Sequence, residues 1–208
     1  RWAEDGFTTF KLKVGPGSGV EQVSAVRNEV GSDALIRVDA NGSWPPEVAG
    51  QLLRELEPFG IELAEQPVAG LEGMAGLRSR TAIPLVADEA VSNSDEASRA
   101  ASIGACDAIT VKLSKTGSLD PRLGGALPTY VSSALDGPVG IAAAAHVAMT
   151  LPQTGPFAGT AQGLATGRLF AGSIAVHDPP LEGPWLSVPE GPGLGIEIDQ
   201  AALRRCRL

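Results

Sequence analysis

Three aliphatic runs in this chain each end on a carboxylate. Ile36 to Val38 runs into Asp39, Ile61 to Ala64 into Glu65, and Ile83 to Ala87 into Asp88. The intervals are 65 − 39 = 26 and 88 − 65 = 23 residues, each enough for one strand, one helix and their turns. A charge at the end of a buried strand is costly unless something compensates it. Its recurrence once per strand–helix unit therefore constrains the fold. Strands separated by helices run parallel, so the three acids emerge at the same end of one sheet.

The rest of the chain keeps this rhythm. Phe7 to Val14 is rich in β-formers, and Val20, Val23, Val26 and Val30 recur at helical spacing. Pro45 and Pro46 open a helix whose apolar face is Val48, Leu52, Leu53 and Leu56. A brief helix is predicted around Leu71 to Arg80, and Ser94 is the predicted N-cap of a helix from Asp95 to Ile103. Strands follow at Ala108 to Leu113 and Thr129 to Ser132, and a helix from Gly137 to Leu151. Near-continuous aliphatic strands alternating with helices predict an α/β fold with a parallel sheet covered on its faces. The short repeating unit predicts a TIM-type (β/α) barrel. A doubly wound open sheet is the alternative, but no GxGxxG follows a first strand. "GPGSG" at positions 15–19 lacks a Walker lysine and reads as a βα turn. After Pro179 the chain becomes rich in Pro and Gly. Residues 1–178 are therefore read as the barrel domain, and 179–208 as an extension packing on it, with a short hairpin.

Composition removes several function classes. A formal net charge of −8 argues against a nucleic-acid partner, which needs a basic face. Cys106 and Cys206 show no CxxC spacing, so a disulfide scaffold or a thiolate zinc site is not expected and a cytoplasmic setting fits. No apolar run approaches the ~20 residues that span a bilayer, and Val139 to Leu151 is short and carries His146. Oligomeric state is left open.

Three converging carboxylates repel one another, and a hard divalent cation resolves the conflict. Oxygen-only ligands with open positions point to Mg²⁺, or Mn²⁺ in its place. Asn41, Gln66 and Glu89 lie one or two positions from the acids and are candidates to orient them. Lysines flank the triad. Lys11 and Lys13 in "FKLKVG" share one face of a strand, and Lys112 in "ITVKLS" ends the strand after Asp88, with 112 − 88 = 24. A metal that holds a substrate carboxylate stabilises the anion formed when an α-proton leaves. An amine beside a cation is disfavoured as ammonium and can serve as the base.

At these residues the chain resembles the enolase superfamily. The matching pieces are "KLK" at Lys11 to Lys13, "DAN" at Asp39 to Asn41, "EQP" at Glu65 to Pro67, "ADE" at Ala87 to Glu89, and Lys112. The resemblance implies that Asp39, Glu65 and Asp88 bind Mg²⁺. It also implies that Lys13 and Lys112 are the catalytic pair of the muconate-lactonizing-like subgroup. "VSSALDGPVGIAAAAHVA" is similar to the o-succinylbenzoate synthases of menaquinone biosynthesis, particularly the actinobacterial kind. That likeness makes Ser132 and Ser133 contacts for the substrate's succinyl end, with Lys11 a further substrate-binding candidate. "GLATGRLF" at Gly163 to Phe170 resembles the Gly-Leu-Gly-Thr element of the last strand. The implied reaction is a lyase step. Lys13 takes the α-proton of a small cyclohexadiene carboxylate, a metal-stabilised enediolate forms, and water leaves. Racemases of N-succinylamino acids and dipeptide epimerases share the same lysine pair. A barrel remnant without turnover is the reading from another class. Members of the family begin with a capping domain and a first barrel strand. Arg1 to Gly6 reads as the end of the first barrel helix, so the chain is expected to lack both. The connection from Lys112 to Ser132 is several residues short for a full helix.

Overall fold

A computed structural model describes residues 1–206 except 16, 18, 118–122 and 153. The elements alternate as the acid spacing requires. They are β1 (Thr9–Lys13), α1 (Gly19–Val30), β2 (Leu35–Asp39), α2 (Pro46–Leu56), β3 (Ile61–Glu65), α3 (Leu71–Ala75), β4 (Leu85–Ala87), α4 (Ser94–Ser102) and β5 (Ala108–Val111). Then come α5 (Leu113–Thr116), α6 (Leu123–Ala126), β6 (Thr129–Val131), α7 (Pro138–Ala148), β7 (Leu181–Glu182), β8 (Trp185–Leu186) and α8 (Gln200–Arg205). Strand order in the main sheet is the chain order, β1 to β6. The pairings from β1 through β5 are all parallel. Among the described residues no helix is long and apolar enough to cross a membrane.

Two compact units divide the chain: residues 1–110 with 120–129, and residues 111–119 with 130–208. In the first, one hydrophobic cluster joins the strands to the helices that cover them. Ile36, Val38, Ala64, Leu85 and Ile109 meet Val23, Leu53, Leu56, Met74 and Ala97 there. Pro45 caps α2 and Pro46 opens it, where the missing N–H has no helical partner to lose. The buried stripe of α2 is Ala49, Gly50, Leu53 and Leu56. Val48 is exposed, contrary to its predicted place on that face. Gly50 takes a place on the buried stripe instead. A Cβ there would lie 2.6 Å from the Arg80 guanidinium carbon, so Arg80 lies directly across the helix.

Two further boundaries differ from expectation. The N-cap of α4 is Asn93, not Ser94: its side chain accepts hydrogen bonds from the N–H groups of Asp95 and Glu96. Glu96 in turn accepts from the Ser92 N–H at 2.6 Å, which fixes the entry of the chain. The segment 71–80 splits into α3 and a 3₁₀ turn at Arg78–Arg80. Arg1 to Gly6 forms turns, in which Asp5 N–H donates to Arg1 O and Gly6 N–H to Ala3 O, each at 3.0 Å. Positions 16 and 18 of the Gly-rich βα turn lie outside the described residues.

In the second unit, Val131, Ala144, Ala145, Val147 and Leu164 form a smaller core. The Ser132 N–H donates to Val111 O at 2.9 Å, and Gly163 forms a parallel bridge with Ser132. β7 and β8 make an antiparallel hairpin in the Pro/Gly-rich region. The described part of the Lys112 to Ser132 connection holds the two short helices α5 and α6, and residues 118–122 of it lie outside the described residues.

Candidate metal centre and active site

The site grows from strand register. Lys13 pairs with Asp39, and Asp39 pairs with Glu65. The ladder runs one residue further, with Val14 N–H on Asp39 O at 2.9 Å and Ala40 N–H on Glu65 O at 3.2 Å. Gln66 N–H reaches Val86 O at 2.8 Å, which aligns the end of β3 with β4 and brings Asp88 to the same edge. Asp39, Glu65 and Asp88 are each about 1 % exposed. One ligand oxygen from each lies within 4.8 Å of the others. That spacing and an all-oxygen donor set fit a hard divalent cation, and sulfur- or imidazole-seeking metals find no ligand in the triad.

Two amines contact the acids from β1. Lys11 Nζ lies 2.7 Å from Asp39 Oδ2 and 2.7 Å from Glu65 Oε1. Lys13 Nζ lies 2.7 Å from the same Asp39 oxygen and donates to Asn41 Oδ1 at 2.6 Å. The two lysines alternate with Leu12 and so share a face. Lys13 is the more open, with its side chain 63 % exposed against 28 % for Lys11. Desolvation works against the Lys11 ammonium, but the Glu65 and Asp39 carboxylates beside it hold its pKa above the ordinary lysine value. Burial alone would raise the Asp39 pKa. The Lys11 charge, the hydrogen bonds from Lys11 and Lys13, and the Asn41 N–H override it and hold the carboxyl below its usual range.

Behind the acids stand the residues that follow them. Asn41 and Gln66 have φ of 47° and 38°, the left-handed region that side chains other than glycine seldom occupy. Each is held there by bonds. Asn41 N–H donates to Asp39 Oδ1 at 2.9 Å, and its amide donates to Glu89 Oε1 at 2.7 Å. Buried Gln66 accepts at Oε1 from the N–H groups of Asp88 (2.9 Å) and Ala90 (3.1 Å), while its Nε2 donates to Val68 O at 2.9 Å. Trp44 Nε1 donates to Val14 O at 3.3 Å and ties the approach to α2 to the end of β1.

One supporting pair escaped the sequence reading. Arg37 is 3 % exposed, and its Nε donates to Glu62 Oε2 at 2.6 Å. The register between β2 and β3 slips here: Ile36 pairs with Ile61 but Arg37 with Leu63, which leaves Glu62 as the extra residue of a bulge. Arg37 could have been found, because it precedes Asp39 by two and shares its face. Glu62 could not, since strict alternation turns it away.

The remaining candidates lie in the second unit. Lys112 directly follows β5 and is the N-cap residue of α5, its carbonyl accepting from Lys115 and Thr116 N–H at 3.0 Å each. Ser132 and Ser133 are buried just past β6. Ser133 N–H donates to Gly163 O at 2.9 Å, and Ser133 Oγ accepts from Asp136 N–H at 2.8 Å.

Comparison with known proteins agrees with this architecture. A family model described as "Enolase C-terminal domain-like" matches residues 1–202. The o-succinylbenzoate synthase of Thermobifida fusca (strain YX) is 34 % identical over 215 residues, 96 % of this chain and 66 % of that protein. The o-succinylbenzoate synthase of Mycobacterium leprae (strain TN) is 38 % identical over 197 residues, 90 % of this chain and 56 % of that protein. The chain thus spans between about half and two thirds of these curated relatives. A dipeptide epimerase from Cytophaga hutchinsonii, solved in complex with Mg and the dipeptide D-Ala-L-Val, superposes with a TM-score of 0.88 at 30 % identity. The match covers 98 % of this chain and 57 % of that one.

Proposed function

For a chain that belongs to the enolase superfamily, in its muconate-lactonizing-like subgroup, we propose the dehydration of 2-succinyl-6-hydroxy-2,4-cyclohexadiene-1-carboxylate to o-succinylbenzoate. The observation that carries the catalytic part is the buried triad with an exposed amine on its rim, Lys13 Nζ 2.7 Å from Asp39. The choice of substrate rests on likeness to the two synthases.

Asp39, Glu65 and Asp88 would hold Mg²⁺, or Mn²⁺ in its place. A divalent ion bound there supplies a Lewis acid for the substrate carboxylate, so the charge that develops on loss of the α-proton is stabilised. Lys13 Nζ is the group that takes the proton from ring carbon 1. The released electron pair forms the new ring double bond as the neighbouring C–OH bond breaks. The hydroxide departs with the proton that Lys13 carries, as water. One amine serves both transfers, so the elimination is syn. Lys112 takes the complementary role, stabilising the anion. Ser132 and Ser133 contact the succinyl end. The setting is cytoplasmic and the partner a small carboxylate.

A second reading, favoured by the likeness to the dipeptide epimerase, is epimerisation of an acylated amino acid or dipeptide by the same lysine pair. The test is direct. The Mg²⁺-loaded protein is given the cyclohexadiene carboxylate, and formation of the aromatic product is followed. In parallel, N-succinylamino acids and dipeptides are incubated in D₂O and the α-position is examined for deuterium. Aromatic product supports the proposal, and deuterium exchange alone favours the epimerase. Metal binding without either identifies a non-catalytic remnant and overturns both.

A further inference from the structure

Lys11 stands apart from the other amine of its strand in what it touches. It pairs with Arg37 in the β1–β2 register, one rung below the Lys13–Asp39 rung. Its four-carbon stem carries Nζ up to the acids, where it lies 2.7 Å from an oxygen of Asp39 and 2.7 Å from an oxygen of Glu65. Asp39 and Glu65 sit on adjacent strands in direct register. A single ammonium thus bridges two of the three carboxylates that converge within 4.8 Å.

We propose that Lys11 is a positioning residue of the metal centre: its ammonium and the divalent cation share the neutralisation of Asp39 and Glu65, so Lys11 sets how tightly the cation is held. This rests on the reading of the triad as a divalent-cation site. The electrostatics has two consequences of opposite sign. Without the cation, Lys11 opposes the repulsion among three buried carboxylates and holds the tips of β2 and β3 together. With the cation, Lys11 is a like charge a few ångströms away and weakens its binding. A side chain that only filled space would show neither effect as a pair. Loss of packing lowers stability with and without metal and does not raise metal affinity.

The experiment compares Lys11→Met, which keeps the stem and removes the charge, with Lys11→Arg, which keeps the charge. Thermal midpoints are measured in EDTA and in Mg²⁺, and Mg²⁺ affinity by calorimetry. Lys11→Met is expected to melt lower in EDTA, to gain more from Mg²⁺ than the unaltered chain, and to bind Mg²⁺ about tenfold more tightly. Lys11→Arg is expected to stay near the unaltered values. A chain with Lys11→Met that folds only in Mg²⁺ is the same result in stronger form. Should it fold in neither buffer, Lys11→Gln, also uncharged, is read by the same criteria. Unchanged or weaker Mg²⁺ binding by the uncharged variant overturns the proposal. Asp88→Asn separates the two readings. If it leaves Mg²⁺ binding intact, the metal centre itself is wrongly assigned. If it weakens binding while Lys11→Met fails to tighten it, only the role of Lys11 falls.

Discussion

Gln66 and Asp88 are joined across two strand ends: the Asp88 N–H donates to Gln66 Oε1 at 2.9 Å. The same oxygen accepts from the Ala90 N–H at 3.1 Å, and the Gln66 amide donates onward to Val68 O. Gln66 thus braces the turn that presents the third carboxylate, at the cost of a φ of 38°. Gln66→Leu keeps the volume and deletes the acceptor, which leaves two N–H groups without it. A loss of about 1–3 kcal/mol is expected for each buried one. The stabilisation conferred by Mg²⁺ should shrink as well, because Asp88 loses its orientation. Thermal melts with and without Mg²⁺ check both, and a Mg²⁺ increment equal to that of the unaltered chain would contradict the link to Asp88.

Lys13 meets only the edge of the metal centre. Its Nζ reaches Asp39 Oδ2 and Asn41 Oδ1, and most of the side chain is open. Lys13→Ala should therefore abolish turnover without abolishing metal binding. A positioned general base contributes about 10²–10⁴-fold, and the loss should appear in kcat with Mg²⁺ affinity nearly kept. Dehydration at full rate in Lys13→Ala would remove Lys13 from the mechanism.

How far the sequence disclosed all this depends on which interactions are periodic. Asp39, Glu65 and Asp88 were legible because parallel strands end at one edge of a sheet, so a near-regular spacing of 26 and 23 residues becomes proximity in space. Lys11 and Lys13 were legible as a pair because strand side chains alternate. Local competition was less readable. Asn93 and Ser94 are both good helix caps, and the choice fell to Asn93 because it places Glu96 three residues on, within reach of Ser92 N–H. The place of Gly50 on the buried stripe of α2 was less readable, because it depends on Arg80, 30 residues on, whose guanidinium lies against it. The Arg37–Glu62 pair depended on a bulge, which breaks the very alternation a reader relies on. The left-handed turn at Gln66 leaves no mark in residue type at all.

Gly163 lies against Ser132. A Cβ at Gly163 would fall 2.5 Å from Ser132 Oγ and 3.1 Å from Ser132 Cβ, too close for either atom to stay in place. The bridge between the two residues and the bond from Gly163 N–H to Val131 O fix the backbone, so the side chain must move. Gly163→Ala is expected to cost about 1–3 kcal/mol of stability through this overlap. If Ser132 contacts the substrate as proposed, KM should rise more than kcat falls. Steady-state kinetics beside a chemical melt would test this, and an unchanged KM would detach Ser132 from binding.

Cys106 and Cys206 divide by environment. Cys106 is 4 % exposed, and burial pushes its thiol up to about 11, from 9.0 in the open chain. Cys206 is exposed. At pH 8 a thiol reagent should label Cys206 alone in the folded chain and both residues after denaturation. The raised pKa also sets a sign for alkaline stability. Below pH 9 the thiol is protonated in both states and its contribution is complete. Between pH 9 and about 11 the unfolded chain ionises first, so the folded state loses ground, by about 2–3 kcal/mol at the end of that window. Cys106→Ala should flatten this part of the pH profile while lowering stability at neutral pH through the cavity it leaves. Urea midpoints from pH 8 to 11 for both chains decide it, and parallel profiles would show that another group governs the alkaline limb.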